Sequence, residues 1–259
     1  MITSEGWLDW ADRKPGPVEK KYSTPCTSEF YIPHSMVGRL PGWYTRLFDM
    51  TRLSNGRFTP NAAASVTGSI LLDGKVIQHF PFKASCWASG NFEANTRGNA
   101  FENESQYTLD RFGVNRPDES KPFTDKQVES NLHIIRDMSQ HFGWIPKRPG
   151  IPIVGPETPI PEVTLLEHNE VVRLFGGGVT ACPSDRTRTL WAMIPEIFKE
   201  EDMAVYLLKQ EGTQYTFISD GFNKRYVNDN AALVELQAKG IWPTKVLDVS
   251  KKALDQLVG

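Results

Sequence analysis

Val163-Thr164-Leu165-Leu166-Glu167-His168 is an apolar run closed by a histidine, and a short glycine-bearing loop carries it on to Ala181-Cys182-Pro183-Ser184. Far upstream a second apolar run ends the same way, Phe30-Tyr31-Ile32-Pro33-His34. Two imidazoles and a thiol are a donor set for Zn²⁺, which takes His nitrogen at about 2.0–2.1 Å and Cys sulfur at about 2.3 Å. Three protein ligands leave the fourth tetrahedral position to water, which separates a catalytic zinc from a structural one. If His34, His168 and Cys182 meet, the chemistry they imply is zinc-assisted hydrolysis. They also decide the domain organisation. Residues 145–161 hold six prolines, too many for regular structure, and look like an interdomain linker. His34 and His168 lie on opposite sides of them, so the stretch reads as a long surface loop within one domain.

Between the ligands the pattern is αβ. Residues 28–33 read as a strand. Gly42 to Phe48 is a short helix or a loop. Ala62–Leu72 and Lys75–Phe80 are apolar runs separated by Asp73-Gly74, a hairpin signal because glycine accepts positive φ at the turn. Residues 84–98 are rich in Gly, Asn and Ser and read as a loop; residues 100–105 read as a short strand. Thr124, with Gln127 three residues on, forms a capping box that opens a helix. Val128, Leu132, Ile135 and Phe142 give that helix an apolar stripe, and Gly143 stops it. Residues 187–199 form a second amphipathic helix. Past an acidic break at Glu200-Glu201-Asp202 the chain reads as three short strands (204–209, 215–219 and one near 225–227), a helix over 230–239 and a tail.

Composition narrows the function. The chain has 259 residues, a formal charge of −2 and 39% hydrophobic residues, the profile of a globular protein without a basic nucleic-acid footprint. No apolar run approaches the ~20 residues of a membrane span, so no membrane insertion is expected. Met1 to Trp7 has neither a basic nor an apolar region of signal-peptide type, so synthesis and retention in the cytoplasm are expected. Three cysteines make no disulfide framework; with Cys182 assigned to metal, Cys26 and Cys86 are free to pair or to remain buried thiols. His79, His133 and His141 read as surface or core histidines, and Trp87 as a packed aromatic.

These segments together resemble the type-2 N-acetylmuramoyl-L-alanine amidases, a family that includes phage endolysins and peptidoglycan recognition proteins. His34 matches the strand-end histidine of that family. His168-Asn169-Glu170-Val171 matches its His-x-(Asp/Glu)-Val motif, and Cys182-Pro183 its third ligand. Ser65 to Gly74 and Cys86-Trp87-Ala88-Ser89-Gly90 match the strand and Trp-containing loop between them. The resemblance covers about residues 28 to 200. Departures are Ala88 where the family often has His, Val66 where many members have Tyr, and Gly176-Gly177-Gly178 lengthening the loop before Cys182.

The resemblance implies an α/β fold: a central mixed β-sheet flanked by helices, with a zinc site at the sheet edge, followed by a small C-terminal α+β module. It implies an N-terminal arm over 1–27, a zinc amidase domain over 28–200 and a C-terminal module over 203–259 with a possible wall-targeting role. The implied activity cleaves the amide between N-acetylmuramic acid and L-alanine of the stem peptide, in the manner of a phage endolysin acting on the wall after release. The implied partner is bacterial peptidoglycan and the implied cofactor Zn²⁺. Thr180 stands where members place an oxyanion donor. Glu104 aligns with a glutamate that some members use as the base, with Glu102 two residues away as the alternative. A non-catalytic peptidoglycan-binding module is the rival reading, and a structural zinc protein the third.

Overall fold

The computed structural model describes residues 1–197 apart from 56, 62–63, 150–152, 154–155, 157–162 and 177–179. Beyond residue 197 it describes four strands. The chain divides into two compact units, Met1–Ile194 and Pro195–Gly259.

The first unit is built on a mixed sheet of five strands. Their spatial order is Asp12–Arg13, Val76–Gln78, Gly68–Ile70, Gly98–Asn103 and Phe30–Ser35. The Asp73-Gly74 signal gives the expected antiparallel hairpin between Gly68–Ile70 and Val76–Gln78, with Gly74 at φ +84°. A side chain at Gly74 would also run into Lys126, whose carbonyl oxygen lies 2.8 Å from an ideal Cβ position. The Gly98–Asn103 strand lies between Gly68–Ile70 and Phe30–Ser35 and is parallel to both. Residues 1–27 pack into this unit: Asp12–Arg13 pairs with Val76–Gln78, and Leu8 is buried.

The α-helices among the described residues are α1 (Leu40–Leu47), α2 (Phe92–Arg97), α3 (Asp125–Phe142), α4 (His168–Phe175) and α5 (Arg188–Ile197). Alternation along the strands sorts the two faces, since residues two apart share a side. Phe30 and Ile32, with Ala100 beside them, pack in one cluster with Trp43 and Leu47 of α1, Ala94 of α2 and Val171 of α4. Tyr31, Phe101 and Asn103 face the other way. Tyr31 Oη donates to Asn131 of α3 at 2.5 Å, and Asn131 Nδ2 donates to Asn103 Oδ1 at 2.8 Å. Each large aliphatic side chain buried this way stabilises the fold by about 1.5–3 kcal/mol.

Local signals fix α3. Thr124 and Gln127 form both halves of the capping box, and Gly143 ends the helix in the left-handed region. The 84–98 stretch differs from its reading as a loop. It carries strand Ala84–Cys86 and α2, capped by Asn91, whose side chain accepts from Ala94 N. Asparagine is a strong N-cap as well as a loop residue, so composition alone misassigns it. Cys26 and Cys86 are buried free thiols.

The second unit contains a four-stranded sheet in the order Lys224–Val227, Thr216–Ser219, Tyr206–Gln210, Lys245–Val249. The first three strands are antiparallel neighbours; Lys245–Val249, in the stretch whose sequence reads as tail, runs parallel to Tyr206–Gln210. The helix expected over 230–239 and the acidic break lie outside the described residues, as does most of the proline-rich stretch. No helix among the described residues is long and apolar enough to cross a membrane.

Candidate metal centre

The three ligand candidates come together from three parts of the chain. His34 is the penultimate residue of the Phe30–Ser35 strand, on the face of Phe30 and Ile32. His168 is the first residue of α4. Its approach is guided by Leu165, which bridges to Tyr31 in parallel and so carries the 163–168 run along the sheet edge. Glu167 and Glu170 form a capping box that fixes where α4 starts. Arg148 holds Glu170 from the other side as a bidentate pair, with Nη2 to Oε1 at 2.7 Å, and also donates to Leu165 O at 3.0 Å. Cys182 returns from the glycine-bearing loop, and its carbonyl accepts from Asn169 N at 2.9 Å.

Ligand atoms of His34, His168 and Cys182 all lie within 4.8 Å of one another, so the cluster could hold a metal ion. The two imidazoles stack at 4.2 Å between centroids. His34 Nε2 and His168 Nδ1 are buried without a hydrogen-bond partner. Burial, with His168 close by, holds His34 well below the usual imidazole range, and burial lowers His168 as well. Both rings are therefore neutral and carry free lone pairs, the form that binds a cation. Burial first, and the nearby Glu102 carboxyl second, push the Cys182 thiol up, while Ser35 N donates to its sulfur at 3.1 Å. A bound dication would supply positive charge that makes this sulfur a thiolate. The donor set and its unpartnered nitrogens fit zinc.

The cluster opens onto a cavity of about 270 Å³. Its walls include Trp43 and Arg46 of α1, Ala64, Ser65 and Val66, the Trp87-Ala88 pair, Gly90, and Thr180. Val66 and Ala88, the two departures from the family pattern, both face this space. Thr180 lines it as well, and its Oγ1 accepts from Cys182 N at 3.2 Å.

The two glutamates separate. Glu102 is the register partner of His34 across the parallel ladder and lines the cavity. Its Oε1 lies 3.9 Å from His34 Nδ1, and its Oε2 has no hydrogen-bond partner. Burial pushes its acid up to about 8, with Arg46 pulling the other way. Glu104, the expected base, is placed elsewhere. Its Oε1 accepts from Leu40 N at 2.9 Å and its Oε2 from Leu72 N at 3.1 Å. It caps the start of α1 and steadies the Asp73-Gly74 turn, and it does not line the cavity. The strand ends at Asn103, so the alternation that should have kept Glu104 beside Glu102 no longer applies.

Sequence reading missed Trp43, Arg46 and Arg186. The first two are three apart on α1, so helical spacing was their available signal. Arg186 follows Cys182 by four residues, and nothing in its surroundings marks it as buried.

The sequence profile of N-acetylmuramoyl-L-alanine amidases (Amidase_2) matches residues 34–185, more than half of the chain. No curated protein matches it. Among solved structures it is similar to Staphylococcus aureus hydrolase AmiA in complex with its ligand. The identity is 16%, coverage 74% of this chain and 84% of that one, and the TM-score 0.48. It is similar to the amidase LysC of Clostridium intestinale URNW at 12% identity, covering 72% and 98%, with a TM-score of 0.43. It is also similar to a mutant endolysin from Bacillus subtilis at 13% identity, covering 76% and 98%, with a TM-score of 0.43. The matched stretch opens on His34 and closes three residues past Cys182, so every residue lining the cavity falls inside it, and the chain belongs to the N-acetylmuramoyl-L-alanine amidase family.

Proposed function

We propose that the chain is a zinc-dependent peptidoglycan hydrolase of phage-endolysin type, cleaving the amide between N-acetylmuramic acid and L-alanine of the stem peptide. The observation that carries this reading is the pair of unpartnered ring nitrogens of His34 and His168 beside Cys182, on a cavity shared with Glu102. His34, His168 and Cys182 would hold the ion. Bound zinc lowers the pKa of water and polarises a carbonyl oxygen.

The chain's own residues supply the rest. Glu102 sits in the cavity with a free carboxylate oxygen and an acid near neutrality, the range in which a group both accepts and returns a proton. It takes a proton from the attacking water and passes it to the departing L-alanine nitrogen. The products are the lactyl carboxylate and a free amine. Thr180 Oγ1 accepts from the Cys182 amide and so keeps its own hydrogen for the oxyanion. Trp43 and Trp87 wall the cavity, and the short side chains of Ala64 and Ala88 leave it open.

Binding without cleavage is the second reading. It is favoured by Val66 and Ala88, which line the cavity and can accept no proton. Glu102 favours catalysis. Mass spectrometry of digested peptidoglycan, with metal content measured on the same protein, decides between them. Stem peptides released with a free L-alanine amine, from protein holding about one zinc per chain, support the amidase. Zinc-loaded protein that binds walls and releases nothing supports the recognition module. We further propose that the second unit targets the protein to the wall.

A further inference from the structure

We propose that Arg186, paired with Glu119, is a positioning residue for the metal centre: it acts through Ser35 to set the Cys182 sulfur against the two imidazoles. This rests on the zinc reading above. Arg186 is 0% exposed, the largest fully buried side chain in the described chain. A buried guanidinium is costly unless its donors are taken up, and here they are. Nη1 donates to the Ser35 hydroxyl and, at 3.2 Å, to Ser105 Oγ; Nη2 donates to Glu104 O at 2.8 Å; Nε donates to Lys121 O at 3.2 Å. Glu119 lies 3.7 Å away and accepts from the hydroxyls of both Ser35 and Ser105.

Ser35 ends the strand that carries His34, Glu104 and Ser105 follow the strand that carries Glu102, and Glu119 and Lys121 lie in the segment before α3. Arg186 itself stands in the short 3-10 turn Ser184–Thr187, immediately after Cys182-Pro183. The guanidinium therefore ties the Cys182 loop to the strand ends. Ser35 is the hinge of that tie. Its hydroxyl is held by Arg186 and Glu119, while its amide, next to His34, donates to Cys182 Sγ at 3.1 Å. A guanidinium presents five donors in a rigid planar fork, against three on a compact ammonium, so it holds acceptors on several segments in one fixed geometry. Outer partners of this kind typically change metal affinity about 10–100-fold when removed.

The test uses the full-length protein and Co²⁺ as the probe. Cobalt dissociation constants are measured by chelator competition, and the thiolate-to-cobalt charge-transfer band reports Cys182 directly. Circular dichroism and melting temperature are followed alongside. We expect Arg186→Met and Ser35→Ala to keep native circular dichroism, to bind Co²⁺ roughly 10–100-fold more weakly and to lose intensity in the charge-transfer band. Folded variants with wild-type affinity and band overturn the proposal. If Arg186→Met does not fold, Ser35→Ala, which keeps the guanidinium, decides it in the same way. Wild-type protein that takes up no Co²⁺ overturns the zinc reading itself, a failure seen before any variant is compared.

Discussion

Two buried polar regions share the same sheet, and they are treated differently. In Gln78 and His79 every polar side-chain atom has a partner. Gln78 Oε1 accepts from Leu8 N at 2.7 Å, and its Nε2 donates to Gly6 O and Phe80 O. His79 lies between Ser69 Oγ at 2.9 Å and Lys14 O at 3.0 Å. In His34, His168 and Glu102, three buried side-chain atoms have none: His34 Nε2, His168 Nδ1 and Glu102 Oε2. Buried polar groups are normally satisfied, and an exception calls for a reason. In the first region the histidine serves structure; it joins the N-terminal segment to the sheet. In the second the unmet nitrogens and oxygen are what a metal ion and a substrate would meet. The difference teaches that burial alone does not mark a site; unpartnered buried atoms gathered on one cavity beside a metal-type donor set do, whereas scattered ones such as Asn99 Oδ1 do not.

The largest expected effect falls on the unsatisfied side. Cys182→Ser loses most of its zinc and with it wall-lytic activity, because a hydroxyl is a poor substitute for a thiolate. Metal analysis and a turbidity assay check this; full zinc occupancy in the variant removes Cys182 from the centre. Next comes Glu102→Gln, which keeps the shape but cannot accept a proton. Its kcat should fall roughly 10²–10⁴-fold with zinc retained. Glu104→Gln is its control. It should spare kcat within a few-fold and instead lower stability by about 1–3 kcal/mol, since the α1 start loses a charged cap. The reverse ranking would return the base to Glu104.

The satisfied side gives a pH effect. Burial lowers the His79 acid to about 4 from 6.5. The folded chain therefore keeps this ring neutral while the unfolded chain protonates it below about 6.5. The stability this ring contributes is complete above 6.5 and is lost as pH falls through about 4, on the order of 3 kcal/mol in all. Urea melts of wild type and His79→Gln at pH 7 and pH 4 measure it: the variant should show a shallower acid loss. The smallest effect concerns the second unit. A chain ended near Asp202 should hold zinc and cleave soluble muropeptide as before, yet clear whole walls a few-fold to tens of fold less well, because a second contact raises local concentration at an insoluble surface. Equal clearing of walls would rule out a targeting role.

The sequence by itself determined what depends on neighbours along the chain. Asp73-Gly74 made a hairpin because only a residue without Cβ takes that turn cheaply, and Thr124 with Gln127 started α3 because the cap is closed within four residues. The order of His34, His168 and Cys182 was legible as a donor set, as a family pattern, and as the reason the proline-rich stretch does not split the domain. Tertiary structure alone decided which glutamate enters the cavity. Glu102 and Glu104 are equivalent by alternation, and they part only because the strand ends between them and two backbone amides, Leu40 and Leu72, claim the second carboxylate. It alone decided that Arg186, a residue type that composition assigns to solvent, is buried against acceptors from three distant segments. Those acceptors lie about 65 to 150 positions away along the chain. Periodicity reads only neighbours along the chain and no motif names the acceptors of Arg186, because what satisfies a buried charge is the set of groups the fold brings to it.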